Sequence, residues 1–238
     1  MTDRLLRVEG LAAYYGQLQA ERGVSFDVGA GEALAVIGEN GAGKTTLFQA
    51  ICGLHTAATG AVVFDGQQLR GLPAHTVVRR GIALVPEGRR IFPSLTVDEN
   101  LRVAEDQHRR DRSHPRRWTR DRVYHLFPDL RAAARRGGHQ ISGGQQQMLA
   151  IGRALLSDPR LLLLDEVSLG LSPVVVKTLY QALAAIRADG VTLVFVEQDV
   201  HRSIAFSDHL VCLHKGTVRL AGSSRSQSLD EVRRAYFG

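Results

Sequence analysis

The chain has 238 residues, 44% of them hydrophobic and 23% charged, with a formal net charge of +6. That length suits one large domain, alone or with an inserted subdomain, and it is long enough to bury a sizeable core. No run reaches eighteen uninterrupted apolar residues, which excludes a membrane-spanning helix.

The first ten residues, MTDRLLRVEG, lack the apolar stretch of a signal peptide. Cys52 and Cys212 lie far apart in apolar surroundings without metal spacing, and they are expected to be buried and reduced, as in a cytosolic protein. The positive charge is almost all arginine; lysine occurs only at 44, 177 and 215. Its densest run, RRDRSHPRRWTRDR at 109–122, has no periodic apolar face and few aromatics, so it reads as solvated surface and not as a nucleic-acid patch.

In chain order, VSFDVGAG at 24–31 alternates and turns like an antiparallel strand. ALAVI at 33–37 is a continuous apolar run, as expected of a strand covered on both faces. It runs into GENGAGKTT at 38–46 and then a helix, TTLFQAICGL. This strand–loop–helix context is what the phosphate-loop pattern G-x-x-x-x-G-K-[ST] requires. Gly38, Glu39, Asn40, Gly41, Ala42 and Gly43 wrap phosphates with backbone N–H groups, Lys44 neutralises the β- and γ-phosphates, and Thr45, followed by Thr46, offers a hydroxyl to Mg²⁺.

AVVFDGQQL at 61–69 turns like a second antiparallel segment, and GIALV at 81–85 reads as another buried strand. From about 95 to 155 the chain is helical and charged. Within it, ISGGQQQ at 141–147 opens a helix with Ser142 as N-cap and apolar positions Met148, Ile151 and Leu155. Glycines in the first turn bare its donor end, which suits an anion. LLLLDE at 161–166 ends a buried strand in two carboxylates, where an open α/β sheet places ligand chemistry. Asp165 is expected to orient Mg²⁺, and Glu166 a water in line with the γ-phosphate. VTLVFV at 191–196 is the last buried run, and HLVCLHKGTVRLAG at 209–222 is a hairpin grouped with the antiparallel segments. The expected architecture is an α/β core with a mostly parallel sheet, a small antiparallel layer and a helical insertion over roughly 88–155, all in one domain spanning 1–238.

GENGAGKTT, ISGGQQQ, LLLLDE and SLGL at 168–171, in that order, resemble the ATP-binding cassette family across the whole chain. The resemblance implies a P-loop NTPase core and two cassettes packed head to tail. Ser142, Gly143, Gly144 and Gln145 then contact the γ-phosphate held by the partner, and SLGL crosses between the sites. Tyr15 matches the aromatic that stacks on adenine, with Tyr14 as the alternative.

ALVPEGRRIFPSLTVDENL at 83–101, VEQD at 196–199 and the tail EVRRAYFG narrow the resemblance to the shorter ATPase subunit of branched-chain amino-acid importers. Glu87 stands where most cassettes carry a Gln that touches nucleotide and metal, and Gln198 where most carry a His; His201 is the competing switch residue. Val167 follows Glu166 where Pro is common, and Gln145 stands where the subfamily usually has Glu. The implied activity is ATP hydrolysis with Mg²⁺ at the cytoplasmic face of the membrane. The implied partners are a second cassette, separate permease chains and, indirectly, an extracytoplasmic solute-binding protein, with no nucleic acid. A urea or amide importer and a soluble, non-transport cassette ATPase are the alternatives.

Overall fold

The structure is a computed structural model that describes residues 4–107 and 116–237. It begins with two long strands, β1 (Arg4–Tyr15) and β2 (Leu18–Gly29), followed by β3 (Ala33–Ile37), α1 (Lys44–Ile51), β4 (Ala58–Phe64), β5 (Gln67–Gln68), α2 (Ala74–Arg79) and β6 (Ile82–Val85). Four helices come next: α3 (Val97–Gln107), α4 (Arg120–Leu126), α5 (Pro128–Ala132) and α6 (Gly143–Leu155). The chain then alternates through β7 (Leu161–Asp165), α7 (Pro173–Ala188), β8 (Thr192–Val196), α8 (Val200–Phe206), β9 (His209–His214), β10 (Thr217–Ser223) and α9 (Leu229–Phe237).

Two sheets result. β2-β1-β4-β5 is antiparallel, and β10-β9-β3-β8-β7-β6 is parallel except at its β10 edge. The four apolar runs read as strands from the sequence are β3, β6, β7 and β8, neighbours in the second sheet. β3, β7 and β8 are buried at every position, which is why no alternation marks them. The hairpin at 209–222 corrects the sequence expectation. It joins the large sheet, because β9 is a nearly continuous buried run that pairs parallel to β3, while half-exposed β10 caps the edge. A turn signal fixes how two strands meet each other, not which sheet receives them.

The core lies on both faces of the large sheet. One face packs against β1, β2, β4 and α1, through Leu6, Val24, Phe48 and Phe64. The other packs against α7 and the helices between β6 and β7, through Leu101, Phe127, Ile151 and Leu183. Cys52 and Cys212 are free and buried, one on each face. Burial pushes both thiols up, to about 12 and about 11, so neither is a reactive nucleophile near neutral pH.

Residues 108–115 of the arginine run lie outside the described residues; 116–122 are not the loose surface expected. Trp118 is among the largest fully buried side chains, with the Arg122 guanidinium 4.7 Å from its ring centroid. Arg120 pairs with Asp98 at 3.0 Å and Glu105 at 2.8 Å, and Arg122 with Asp189 at 2.6 Å. The arginines of 116–122 therefore pin a segment around one aromatic anchor: Arg120 and Arg122 pair with acids distant in sequence, while Arg116 and Arg117 donate to the backbone carbonyls of Glu105 and Asp189.

Candidate active site

The strand order of the large sheet sets the order of the site. Reading β3, β8, β7, β6, their carboxyl ends deliver the P-loop, Gln198, the pair Asp165–Glu166, and Glu87. This is the edge of a parallel sheet where ligands bind.

The P-loop turns through Gly38, Gly41 and Gly43, all with positive φ. Two of them have no room for a side chain. A Cβ on Gly38 would lie 2.3 Å from the Leu213 carbonyl oxygen, and one on Gly43 would lie 2.0 Å from a carboxylate oxygen of Glu21. No side chain caps α1, so its first N–H groups stay available to an anion. Lys44 is buried, and its Nζ donates to the carbonyls of Gly38 at 2.8 Å and Glu39 at 3.0 Å. These loop carbonyls hold the ammonium at the mouth of the anion nest.

Asp165 is buried at the end of β7, and its Oδ1 has no hydrogen-bond partner among the described residues. Burial pushes its carboxyl up, a hydrogen bond from the Thr45 hydroxyl pulls it back, and the carboxylates of Glu166 and Glu87 push it up again against the pull of Lys44. An orphaned carboxylate oxygen beside a hydroxyl is a pair of hard oxygen donors. It fits a Mg²⁺ ion that takes its remaining ligands from phosphate and water.

Glu166 adopts φ 48°, a left-handed conformation that strains a residue with a Cβ. Its carboxylate lies 3.6 Å from Lys44 Nζ and accepts a 2.8 Å hydrogen bond from Gln198 Nε2. Of the two competing switch residues, Gln198 is therefore the one in contact with Glu166, while His201 is exposed on the first turn of α8. Glu87 is exposed beyond β6, and its carboxylate acts on Asp165 through its field.

Tyr15 ends β1, is 49% exposed, and leans on His55 with ring centroids 4.6 Å apart; its hydroxyl donates to Gln49 of α1 at 3.2 Å. Tyr14, half-buried, points to the other face of the strand. An exposed ring beside the phosphate-loop helix is free to receive a base.

Ser142 caps α6 as the sequence indicates. Its Oγ accepts from Gln145 N at 3.3 Å, and Gln145 Oε1 accepts from Ser142 N at 3.0 Å, completing a reciprocal capping box. The Gln at this position thus performs the local task of a Glu without its charge. Gly144 is tightly packed: a Cβ there would sit 2.6 Å from Val175 Cγ1, so that side chain would have to shift. Among the described residues no hydrogen bond or ion pair joins 142–145 to the P-loop at 38–46.

Three groups escaped the sequence reading. Arg89, two residues after Glu87, donates to Gln146 of α6 at 2.9 Å, which ties the Glu87 loop to the Ser142 helix. Glu197, next to Gln198, is buried and accepts hydrogen bonds from Ser168 and Tyr180. A polar residue closing an apolar six-residue run was its only sequence signal. Glu21 on β2 is fully buried against Gly43, with neither oxygen partnered among the described residues.

Burial raises the Glu21 carboxyl from 4.5 to about 8. Folding must therefore hold a proton that the unfolded chain releases. The destabilisation is absent below the unfolded value near 4.5, grows as pH rises towards 8 and is constant above that. Glu21→Leu is expected to raise Tm more at pH 8 than at pH 5, by a difference on the order of 4 kcal/mol in stability. Thermal melts at the two pH values check this; an equal gain at both would show that Glu21 folds ionised.

Against known proteins, a family model described as ABC transporter matches residues 22–168. The chain is 40% identical over 235 residues, 98% of its length and 100% of the relative, to the high-affinity branched-chain amino acid transport ATP-binding protein BraG of Pseudomonas aeruginosa. It is 31% identical to BraF of the same organism, covering 100% of this chain and 99% of that protein. A solved structure of an ATP binding subunit of an ABC transporter superposes with a TM-score of 0.82 at 29% identity, over 97% of this chain and 98% of that one.

Proposed function

The chain belongs to the ABC transporter family, and from that premise we propose that it is the ATP-hydrolysing subunit of an importer for branched-chain or other hydrophobic amino acids. The observation that carries the hydrolytic part is the contact set of Glu166. One carboxylate lies between the Lys44 ammonium and the Gln198 amide, beside the buried Asp165–Thr45 pair. That arrangement positions water against a γ-phosphate: Lys44 draws charge off the phosphate, Glu166 takes the proton from the attacking water, and Gln198 holds Glu166 in line. Thr45 and Asp165 would hold Mg²⁺, which supplies charge neutralisation on the phosphates. The P-loop amides cradle the triphosphate, and Tyr15 stacks on the adenine.

The second half of each site comes from a partner cassette. The start of α6 is capped at Gln145 N by Ser142, but among the described residues its glycine N–H groups have no side-chain cap and no phosphate loop of their own chain bonded to them, so Ser142, Gly143, Gly144 and Gln145 are assigned to the partner's nucleotide. Likeness to both BraG and BraF of one organism supports a heterodimer of sister ATPases. No described helix is long and apolar enough to cross a membrane, so in this reading separate permease chains carry the solute and the cassette lies on their cytoplasmic side. A 300 Å³ groove lined by Phe48, Leu54, Val77 and Pro86, and at the metal site by Thr45 and Asp165, adjoins the Glu87 loop at Pro86 and supports a docking point for them. ATP binding favours the closed dimer and hydrolysis releases it, which gives the permease two states to follow.

The experiment is uptake in a strain lacking this chain. Labelled leucine, isoleucine and valine are expected to lose transport, restored by the wild-type chain and not by Glu166→Gln. Loss of urea or acetamide uptake instead would assign a different solute, and unaltered uptake of all of them would remove the importer reading.

A further inference from the structure

The loops that follow β7 and β8 are joined by two side-chain rungs. In the first, Gln198 Nε2 donates to Glu166 Oε2 at 2.8 Å. In the second, Ser168 Oγ donates to Glu197 Oε2 at 2.8 Å. Glu166 and Ser168 are two residues apart on one loop; Glu197 and Gln198 are adjacent on the other. The rungs therefore close a small ring that contains the hydrolytic carboxylate.

Glu197 is the fixed member of that ring. It is 3% exposed, and its second oxygen accepts from the Tyr180 hydroxyl at 2.8 Å. Tyr180 is itself immobilised: its ring packs edge-on against Phe206 at 5.0 Å and Phe195 at 6.4 Å, with the Arg202 guanidinium 5.5 Å from the ring centroid. A buried carboxylate is costly unless its lone pairs are filled, so both hydroxyl donors are held firmly. Ser168 is the opposite case. It is half-buried at the start of a loop whose next residue, Leu169, is 50% exposed and whose end, Leu171, packs on the core. A 160 Å³ cleft lined by Glu166, Ser168, Leu169, Glu197 and Gln198 separates the two loops. Movement of 168–171 must either break the Ser168–Glu197 bond or drag the Gln198 loop with it, and Glu166, in its strained left-handed conformation, lies between.

We propose that Glu197 is a positioning residue for hydrolysis: through Ser168 it makes the aim of Glu166 depend on the position of the 168–171 loop, so that the carboxylate is in line only when that loop is seated. Both of its oxygens are taken by the Ser168 and Tyr180 hydroxyls, so it acts through Ser168 on one side and through its chain neighbour Gln198 on the other. The proposal rests on the reading of Glu166 as the group that activates water.

The test is a double-mutant cycle on the full chain in its assembled transporter, with ATP as the probe. Ser168→Ala and Glu197→Gln are each expected to lower kcat about 30-fold, while the ATP Kd of the isolated chain moves by less than about 2-fold. The double mutant is expected to lose about as much as either single, since both act on the same rung: Ser168→Ala removes its donor, and Glu197→Gln leaves one acceptor oxygen for the two hydroxyls of Ser168 and Tyr180; independent effects would multiply to roughly 1,000-fold. Tyr180→Phe, which leaves the rung in place but frees one oxygen, is expected to cost about 3-fold. Ser168→Ala carries the test even if Glu197→Gln folds poorly, because it removes one hydroxyl from a half-exposed loop. Wild-type kcat in Ser168→Ala, multiplicative losses, or a matching loss of ATP affinity would overturn the proposal. With Glu166→Gln as the control, an inactive control beside a fully active Ser168→Ala sinks the coupling alone, and an active control sinks the hydrolytic reading beneath it.

Discussion

Replacing Glu166 with Gln is expected to stop turnover and leave nucleotide bound. The substitution keeps the side chain's shape and can keep an oxygen facing the Gln198 amide, 2.8 Å away in the wild type. It removes the negative charge and the basicity that take the proton from water, an effect worth ~10²–10⁴ in rate when a general base is lost. Binding is not expected to suffer. The carboxylate lies 3.6 Å from Lys44 Nζ and partly neutralises it, so an amide leaves the ammonium freer to meet phosphate. Phosphate release is expected to fall about 1,000-fold, with the ATP Kd unchanged or lower and a closed dimer accumulating in ATP. Turnover within a few-fold of wild type would take Glu166 out of its role.

Lys44→Ala is expected to act a step earlier, on binding itself. The wild-type ammonium is only 5% exposed and is held by the carbonyls of Gly38 and Glu39. Truncation removes the one cation buried at the centre of the loop and leaves the Glu166 carboxylate facing the triphosphate without its neighbour. Hydrogen bonds to charged groups contribute about 1.5–3 kcal/mol each, so a loss of at least 100-fold in ATP affinity is expected by equilibrium binding to the isolated chain. Ser142→Arg provides the contrast. Ser142 is exposed at the start of α6, bonded to Gln145 and to nothing in the P-loop among the described residues. The isolated chain is expected to bind ATP within about 2-fold of wild type, because among the described residues 142–145 make no hydrogen bond or ion pair to the P-loop of their own chain, while dimer-dependent turnover disappears. Equal loss of single-chain binding in the two variants would refute the assignment of 142–145 to the partner's nucleotide.

Much of this protein is legible in the sequence because its chemistry is written in contiguous residues. GENGAGKTT carries its own turn geometry and donors, LLLLDE attaches its carboxylates to the strand that presents them, and Ser142 with Gln145 caps α6 within a single turn. The buried strands β3, β6, β7 and β8 announce themselves by unbroken apolar runs, since a strand covered on both faces has no polar side to alternate with. What the tertiary structure alone decides is everything that depends on which loops become neighbours. Ser168 and Glu197 are 29 residues apart, and Arg89 and Gln146 are 57 apart. They meet because β7 lies beside β8 and because the Glu87 loop folds onto α6, and local pattern does not encode strand order. The hairpin at 209–222, Trp118 inside an arginine-rich stretch and Glu21 beneath Gly43 belong to the same class. A turn, a charge run or a lone acid has an environment only once non-local packing supplies it, and that packing fixes both the proton on Glu21 and the aim of Glu166.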